Sequence, residues 1–288
     1  MPLKALHDLP APAKLNLFLH INGRRADGYH LLQSVFVLID WADTLHLELR
    51  GDGLLRRHDL GPALPADDLG LRAARALQQA TGCTLGADIS VLKRVPWGAG
   101  MGGGSSDAAT VLLALNRLWG LHLPRARLLE LAAPLGADVP FFVGGENAFV
   151  EGIGERLTPI AWAPRRYAVV KPAESLATAA IFSHQDLARD TEPATLAGSV
   201  ALLHSELVPA FGHNDLQPVA EALCPPIAQV AKWLEERFGN SRMTGSGSAV
   251  FATVGAEAAT WSEGELPDGW VGRMCRSLPH HPLREWAD

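Results

Sequence analysis

The chain has 288 residues, 48% of them hydrophobic, with 25 Lys+Arg against 31 Asp+Glu and a formal net charge of -6. That content over that length buries a large core, and two ordinary domains are expected. The acidic balance, with no basic block, argues against a partner that is nucleic acid or an anionic membrane surface, and no apolar run approaches the roughly 18 residues of a membrane span.

The opening segment, with Asp8 and prolines 2, 10 and 12, lacks the apolar core of a signal peptide. Cys83, Cys224 and Cys275 lie far apart and form no C-x-x-C pair, which points to a reducing, cytoplasmic compartment rather than a disulfide framework. His280 and His281 are the only clustered histidines, and sequence neighbours diverge in direction, so no protein-bound metal is expected.

In chain order, Leu15 to Ile21 and Leu31 to Leu38 read as strands joined by residues 22–28. Thr44 to Arg50 alternates after a Trp41-Ala42-Asp43 turn, giving a largely antiparallel opening sheet. A helix over Asp68 to Thr81 is closed by Gly82, and a strand over Ile89 to Lys93 runs into a glycine-rich loop. A helix opens at Ser105-Ser106-Asp107-Ala108-Ala109 and ends near Trp119-Gly120, and another follows over Pro124 to Leu135. Strands are expected at Ala148 to Glu151 and around Leu157. The proline-flanked stretch Ala161 to Arg166 is the expected boundary between domains 1–160 and 161–288. Beyond it we expect a strand at Tyr167 to Lys171 and helices over Ile181 to Leu187, Asn214 to Leu223 and Ile227 to Phe238. Ala188 to Ser199 reads as a surface loop, and a second glycine motif, Thr244 to Phe251, lies between strands. Strands and helices without a βαβ rhythm indicate an α+β fold.

The loop Val95-Pro-Trp-Gly-Ala-Gly-Met-Gly-Gly-Gly-Ser-Ser106 places glycines at 98, 100, 102, 103 and 104, directly before a helix. Glycine permits positive φ and lets a ligand approach the backbone, while a helix N-terminus offers unpaired amides with partial positive charge. A tight connection needs fewer glycines than this, and the entropic cost of so many favours a phosphate cradle. No lysine precedes Ser105 or Ser106, which excludes Walker A. Gly98, Gly100 and Gly103 fit G-x-G-x-x-G, but a second helix follows where a dinucleotide-binding fold requires a parallel strand. A protein-kinase glycine loop lies in a hairpin rather than before a helix.

Phosphoryl transfer needs an activated acceptor. Asp138, in Gly136-Ala137-Asp138-Val139-Pro140, is a candidate base and equally a helix N-cap, two compatible roles. Lys14, in an otherwise apolar stretch, is either a surface cation or an electrostatic partner for a carboxylate.

Five segments occur in one order: Pro12-Ala13-Lys14-Leu15-Asn16-Leu17, Asp27-Gly28-Tyr29-His30, Pro96 to Ala109, Gly136 to Pro140 and Thr244-Gly245-Ser246-Gly247. Together they resemble the GHMP kinases. The resemblance implies a two-domain fold, with an N-terminal mixed α/β nucleotide domain, a C-terminal α+β substrate domain and an active site in the cleft between them. It implies ATP-dependent phosphorylation of a small alcohol, here one carrying a cytidine diphosphate, with Mg2+ as the ATP counter-ion. ATP would lie on Pro96, Gly98, Ala99, Gly100, Met101, Gly102, Gly103, Gly104, Ser105 and Ser106, with Lys93 toward the nucleoside. Asp138 would be the general base and Lys14 its partner. Asn16 would orient the acceptor, Tyr29 and Phe182 would sandwich the cytosine beside His30, and Thr178, Gly245 and Ser246 would add substrate contacts. The resemblance further implies a monomer or weak homodimer. In Asp67-Asp68-Leu69-Gly70, Asp68 stands where relatives often carry an asparagine near adenine, so nucleotide selectivity is expected to relax. A different acceptor (homoserine, mevalonate or a sugar) and a non-catalytic nucleotide sensor are the competing readings. The Asp-Gly-Tyr-His segment argues against the first and Asp138 against the second.

Overall fold

The computed structural model describes residues 3–66, 68–198, 212–255, 261 and 263–287. Two strands far longer than their sequence signals dominate it: β1 (Ala5–Arg24) and β2 (His30–Arg50) pair antiparallel throughout. Asp8, Pro10 and Pro12 mask β1 in the sequence. The structure absorbs them through register shifts between Leu6 and Leu9 and between Pro12 and Lys14, and Asp8 takes φ 53. The expected turn at residues 41–43 is not formed. Ala42 and Asp43 are ladder residues opposite Pro12 and Ala11, because the bulges let β2 bend without breaking.

β3 (Leu55–Asp59), β4 (Gly86–Leu92), β5 (Ala148–Glu151) and β6 (Arg156–Pro159) complete a sheet of order β3-β4-β2-β5-β6, with β1 on β2. Only β3 with β4 is parallel in it. α1 (Leu69–Thr81) and α2 (Gly103–Leu118) cover it, the first capped by Asp68, whose Oδ1 accepts from Leu71 N at 2.9 Å, and closed by Gly82 in the left-handed region. Residues 106–116 of α2 are all buried, the polar Ser106, Asp107, Thr110 and Asn116 included, as befits a central helix packed on every side. α3 (Arg125–Ala132) and the short α4 (Val139–Gly144) follow. No helix is long and apolar enough to cross a membrane among the described residues.

A second, fully antiparallel sheet has the order β10-β7-β9-β8, from β7 (Arg166–Lys171), β8 (Arg242–Met243), β9 (Val250–Val254) and β10 (Val271–Arg276). α7 (Pro225–Phe238) lays Ile227, Val230, Ala231 and Leu234 on it, beside α6 (Gln217–Leu223). α5 is Thr178–Phe182, shorter than and earlier than the helix expected over 181–187. The carbonyls of Phe182, His184 and Leu187 turn to the Arg189 guanidinium, which ends the helical ladder there. Of the loop expected over 188–199, residues 196–198 are helical and Ser199 lies outside the described residues.

Two strands of chain tie the sheets together. β1 contributes Leu9 and Ala11 to the core under α1 and α2, Ala13, Leu15, Leu17 and Phe18 to a middle cluster, and Leu19 and Ile21 to the core of the second sheet. Residues 277–287 return to the first sheet. Leu278 N donates to Leu38 O at 2.8 Å, His281 N to Gly145 O at 2.8 Å, and Arg125 Nη2 grips the carbonyls of Arg284 and Ala287.

Candidate active site

The glycine loop takes left-handed φ at Gly98 (63°), Gly100 (71°) and Gly102 (70°). Buried Ala99 and Met101 alternate with them and pin the loop to the middle cluster. Its outer edge interlocks with the second glycine motif: Ser248 N donates to Gly98 O at 3.0 Å and Ala249 N to Ala99 O at 3.3 Å. A Cβ on Gly100 would collide with the Thr244 carbonyl and reach Gly247 N at 2.9 Å. Gly102 caps α2 without a side chain, leaving the first-turn amides of Gly103, Gly104 and Ser105 for a ligand. Ser106 Oγ is buried at that turn with no hydrogen-bond partner among the described residues, and Pro96 is half-buried at the loop entrance.

Lys14 connects this cradle to the carboxylate. Its amide donates to Met101 O at 3.0 Å, and a Cβ on Gly102 would touch its Cε at 3.4 Å. Its ammonium donates to Asn16 Oδ1 at 2.5 Å, lies 3.6 Å from Asp138 Oδ2 and stands 4.4 Å over the Phe36 ring. Burial lowers its pKa from 10.5, with Asp138 pulling the other way. Asp138 occupies the N-cap of α4 but its side chain makes no cap bond, so the carboxylate is directed to Lys14 instead. Asn16 is itself held: its amide donates to Thr244 Oγ1 at 2.9 Å and its Nδ2 to Ser34 Oγ at 3.0 Å.

Under the loop, Lys93 Nζ is clamped between Asp43 and Asp107, the latter at 2.6 Å. Asp43 also accepts from Arg94 N and Val95 N at 2.5 and 2.8 Å, so the end of β4 is fixed from β2. Burial raises the Asp107 pKa to about 7 against the opposing pull of Lys93. Lys93, Asp107 and Gly104 line a cavity of about 130 Å³ with Arg57, Asp68 and the 64% exposed Trp97. Both Asp68 oxygens are engaged, one by Leu71 N and the other by Arg57. Asp67, expected beside it, lies outside the described residues.

The remaining candidates lie along α5, the second glycine motif and the start of β2. Thr178 Oγ1 and Ser246 Oγ share a 2.6 Å hydrogen bond, and the Gly245 carbonyl accepts from Asn214 Nδ2 at 2.8 Å. The rings of His30 and Phe182 stand 5.0 Å apart at 35°. Tyr29 is 60% exposed and joins neither ring among the described residues. Sequence reading passes over Thr244, Ser34, Asn214 and Asp43, which support the site. Thr244 stands inside the second glycine motif, whereas Asp43 reads as part of a turn.

A model of the GHMP kinases N terminal domain matches residues 68–146, and one of the GHMP kinases C terminal matches residues 195–260. With the cradle and the Lys14–Asp138 pair, these matches define the GHMP class of kinases. A protein of Methylibium petroleiphilum named 4-diphosphocytidyl-2-C-methyl-D-erythritol kinase is 62% identical over 291 residues, covering 100% of both chains. A crystal structure of 4-(cytidine 5'-diphospho)-2C-methyl-D-erythritol kinase superposes with a TM-score of 0.74 at 35% identity, over 87% of this chain and 90% of that one. Homoserine kinase from Cytophaga hutchinsonii shares the fold, with a TM-score of 0.70 at 16% identity over 97% of this chain and 96% of that one. The chain belongs to the GHMP kinases and, within them, to the 4-diphosphocytidyl-2-C-methyl-D-erythritol kinase family.

Proposed function

We propose that this chain transfers the γ-phosphate of ATP to the 2-hydroxyl of 4-diphosphocytidyl-2-C-methyl-D-erythritol, giving the 2-phosphate and ADP as a step of the non-mevalonate isoprenoid precursor pathway. The observation that carries the residue roles is the Lys14 ammonium, set against the glycine loop and 3.6 Å from Asp138. Asp138 takes the hydroxyl proton as that oxygen bonds to the γ-phosphorus and the bond from phosphorus to the β-phosphate oxygen breaks. Lys14 and Asn16 orient the hydroxyl, and the amides opening α2 meet the phosphate charge. Lys93 and the cavity beside it face the nucleoside. His30 and Phe182 receive the cytosine, Tyr29 closes on it from the surface, and Thr178, Gly245 and Ser246 meet the diphosphate side.

Mg2+ accompanies ATP in this reading; the unpartnered Ser106 Oγ and neighbouring Ser105 fit a hydroxyl contact to it, and the ion supplies charge neutralisation of the phosphates. We place the nucleotide domain at 1–160 and the substrate domain at 161–288, whose residues 277–287 reach back onto the first sheet, in a cytoplasmic monomer or weak homodimer.

The test is ADP release with the cytidyl acceptor, homoserine and mevalonate assayed side by side, in parent and Asp138→Asn enzymes. Turnover of the cytidyl acceptor that falls about 10²–10⁴-fold in Asp138→Asn, with ATP binding intact, is the expected result. Turnover confined to homoserine or mevalonate refutes the acceptor, and near-parental turnover in folded Asp138→Asn removes the base.

A further inference from the structure

A single guanidinium joins the two elements from which the base site is built. Arg189 Nε lies 3.2 Å from Nε2 of His30, at the start of β2. Its Nη atoms donate to the carbonyls of Phe182 at 3.3 Å, His184 at 2.8 Å and Leu187 at 2.9 Å, and so close the C-terminal end of α5. The two rings thus anchored, His30 and Phe182, are the pair that stands 5.0 Å apart. Nothing else among the described residues couples the tip of β2 to α5 through hydrogen bonds at this point.

The chemistry of the contact is one-directional. Arginine carries only donors and stays protonated, so at Nε2 the imidazole accepts. Burial, then the charges of Arg189 and Arg24, lower the pKa of His30 below 6.5, which leaves the ring neutral near pH 7. A neutral imidazole whose Nε2 accepts carries its one proton on Nδ1. Beside its N4 amino donor, cytosine offers two acceptors, N3 and O2, along its pairing edge, and a ring nitrogen without a proton would meet those two lone pair to lone pair.

We propose that Arg189 is a positioning residue for base recognition: it holds His30 in the tautomer protonated on Nδ1, so that the ring presents an N–H donor to the acceptor edge of cytosine while Phe182 supplies the stacking face. This rests on the cytidyl reading above. Arg189 touches no substrate atom in this role. It acts through the proton on its neighbour and through the backbone that carries Phe182.

Protein labelled with 15N-histidine reports the tautomer directly through the two ring nitrogen shifts. The parent is expected to show His30 protonated on Nδ1, and Arg189→Met to move the population toward Nε2. In the same variant KM for the cytidyl acceptor should rise about tenfold, the loss of one well-placed hydrogen bond, with kcat within threefold and KM for ATP unchanged. Arg189→Lys, which keeps a donor, should recover most of that loss. Three results overturn the proposal: a parent His30 protonated on Nε2, an unchanged acceptor KM in Arg189→Met, or a parallel loss of kcat and both KM values that Arg189→Lys does not recover. If the parent fails to phosphorylate the cytidyl acceptor, the function reading fails instead, and the nitrogen shifts still decide the tautomer.

Discussion

Lys14 holds its charge where water does not reach, 3% exposed between β1, the glycine loop and α4. Burial lowers its pKa and Asp138 opposes the shift, so the net effect is an ammonium that gives up its proton at a lower pH than the ordinary 10.5. If transfer requires that charge, kcat must fall on the alkaline side, beginning below pH 10.5. A kcat–pH profile should show this limb in the parent and lose it in Lys14→Arg, whose guanidinium stays protonated whatever its residual rate. An alkaline limb unchanged in Lys14→Arg would assign it to another group. The loss of that amine should also cost about 10²–10³-fold in kcat, the range for one preorganised electrostatic contact, when Lys14 is replaced by Met.

The glycine loop and the Thr244–Ser248 turn are one unit, since each occupies the space a side chain on the other would need. Gly100→Ala places a methyl against the Thr244 carbonyl at a φ of 71°, and should cost roughly 2–3 kcal/mol in thermal unfolding along with most ATP affinity. Gly144→Ala, with open space around it, should shift stability by less than about 1 kcal/mol and serves as the control. The loop was legible in the sequence because its signal is local: glycines before an N-cap segment. α1 was legible for the same reason, with Asp68 and Gly82 marking both ends. The length of β1 and β2 was not, because prolines and bulges break the alternation while long-range pairing overrides them. α4 is one turn and a half with no period to read, and β10 exposes apolar Val271 as well as Arg273 and Arg276, so its polarity does not follow its pleat. Within the site, Lys14 and Asp138 could be named from their segments, but their 3.6 Å approach comes from α4 and β1 meeting across more than a hundred residues. Arg189 carried no signal at all, since an arginine in a loop reads as solvated surface.

At the scale of the molecule, acid should loosen the clasp between the two sheets first. His281, fully buried where the returning segment meets Gly145, has its pKa pushed down to about 3 by burial, with Arg125 and His280 adding to it. In the unfolded chain it titrates near 6.5, so between those values the unfolded state binds a proton that the folded state refuses. Stability from this group is complete above pH 6.5 and drains away as pH falls toward 3. His20, pushed down to about 4 mainly by burial, adds a slope of the same sign over a narrower pH range. The urea midpoint should therefore drop between pH 6.5 and 4, and His281→Gln should flatten that drop without removing it. Equal slopes in the two proteins would place the acid sensitivity elsewhere.

The returning segment also sets a timetable for biosynthesis. Leu283 and Ala287 sit in the same apolar cluster as Leu9, Ala11 and the α2 residues, so the layer is closed by a segment far along the chain from the one that begins it. A ribosome delivers a polypeptide from its N-terminal side, so the nascent first half must wait, with a seam of greasy surface uncovered, until residues 283–287 have emerged. Assembly of that layer is thus a late event of synthesis, and for that interval its apolar surface is open to aggregation.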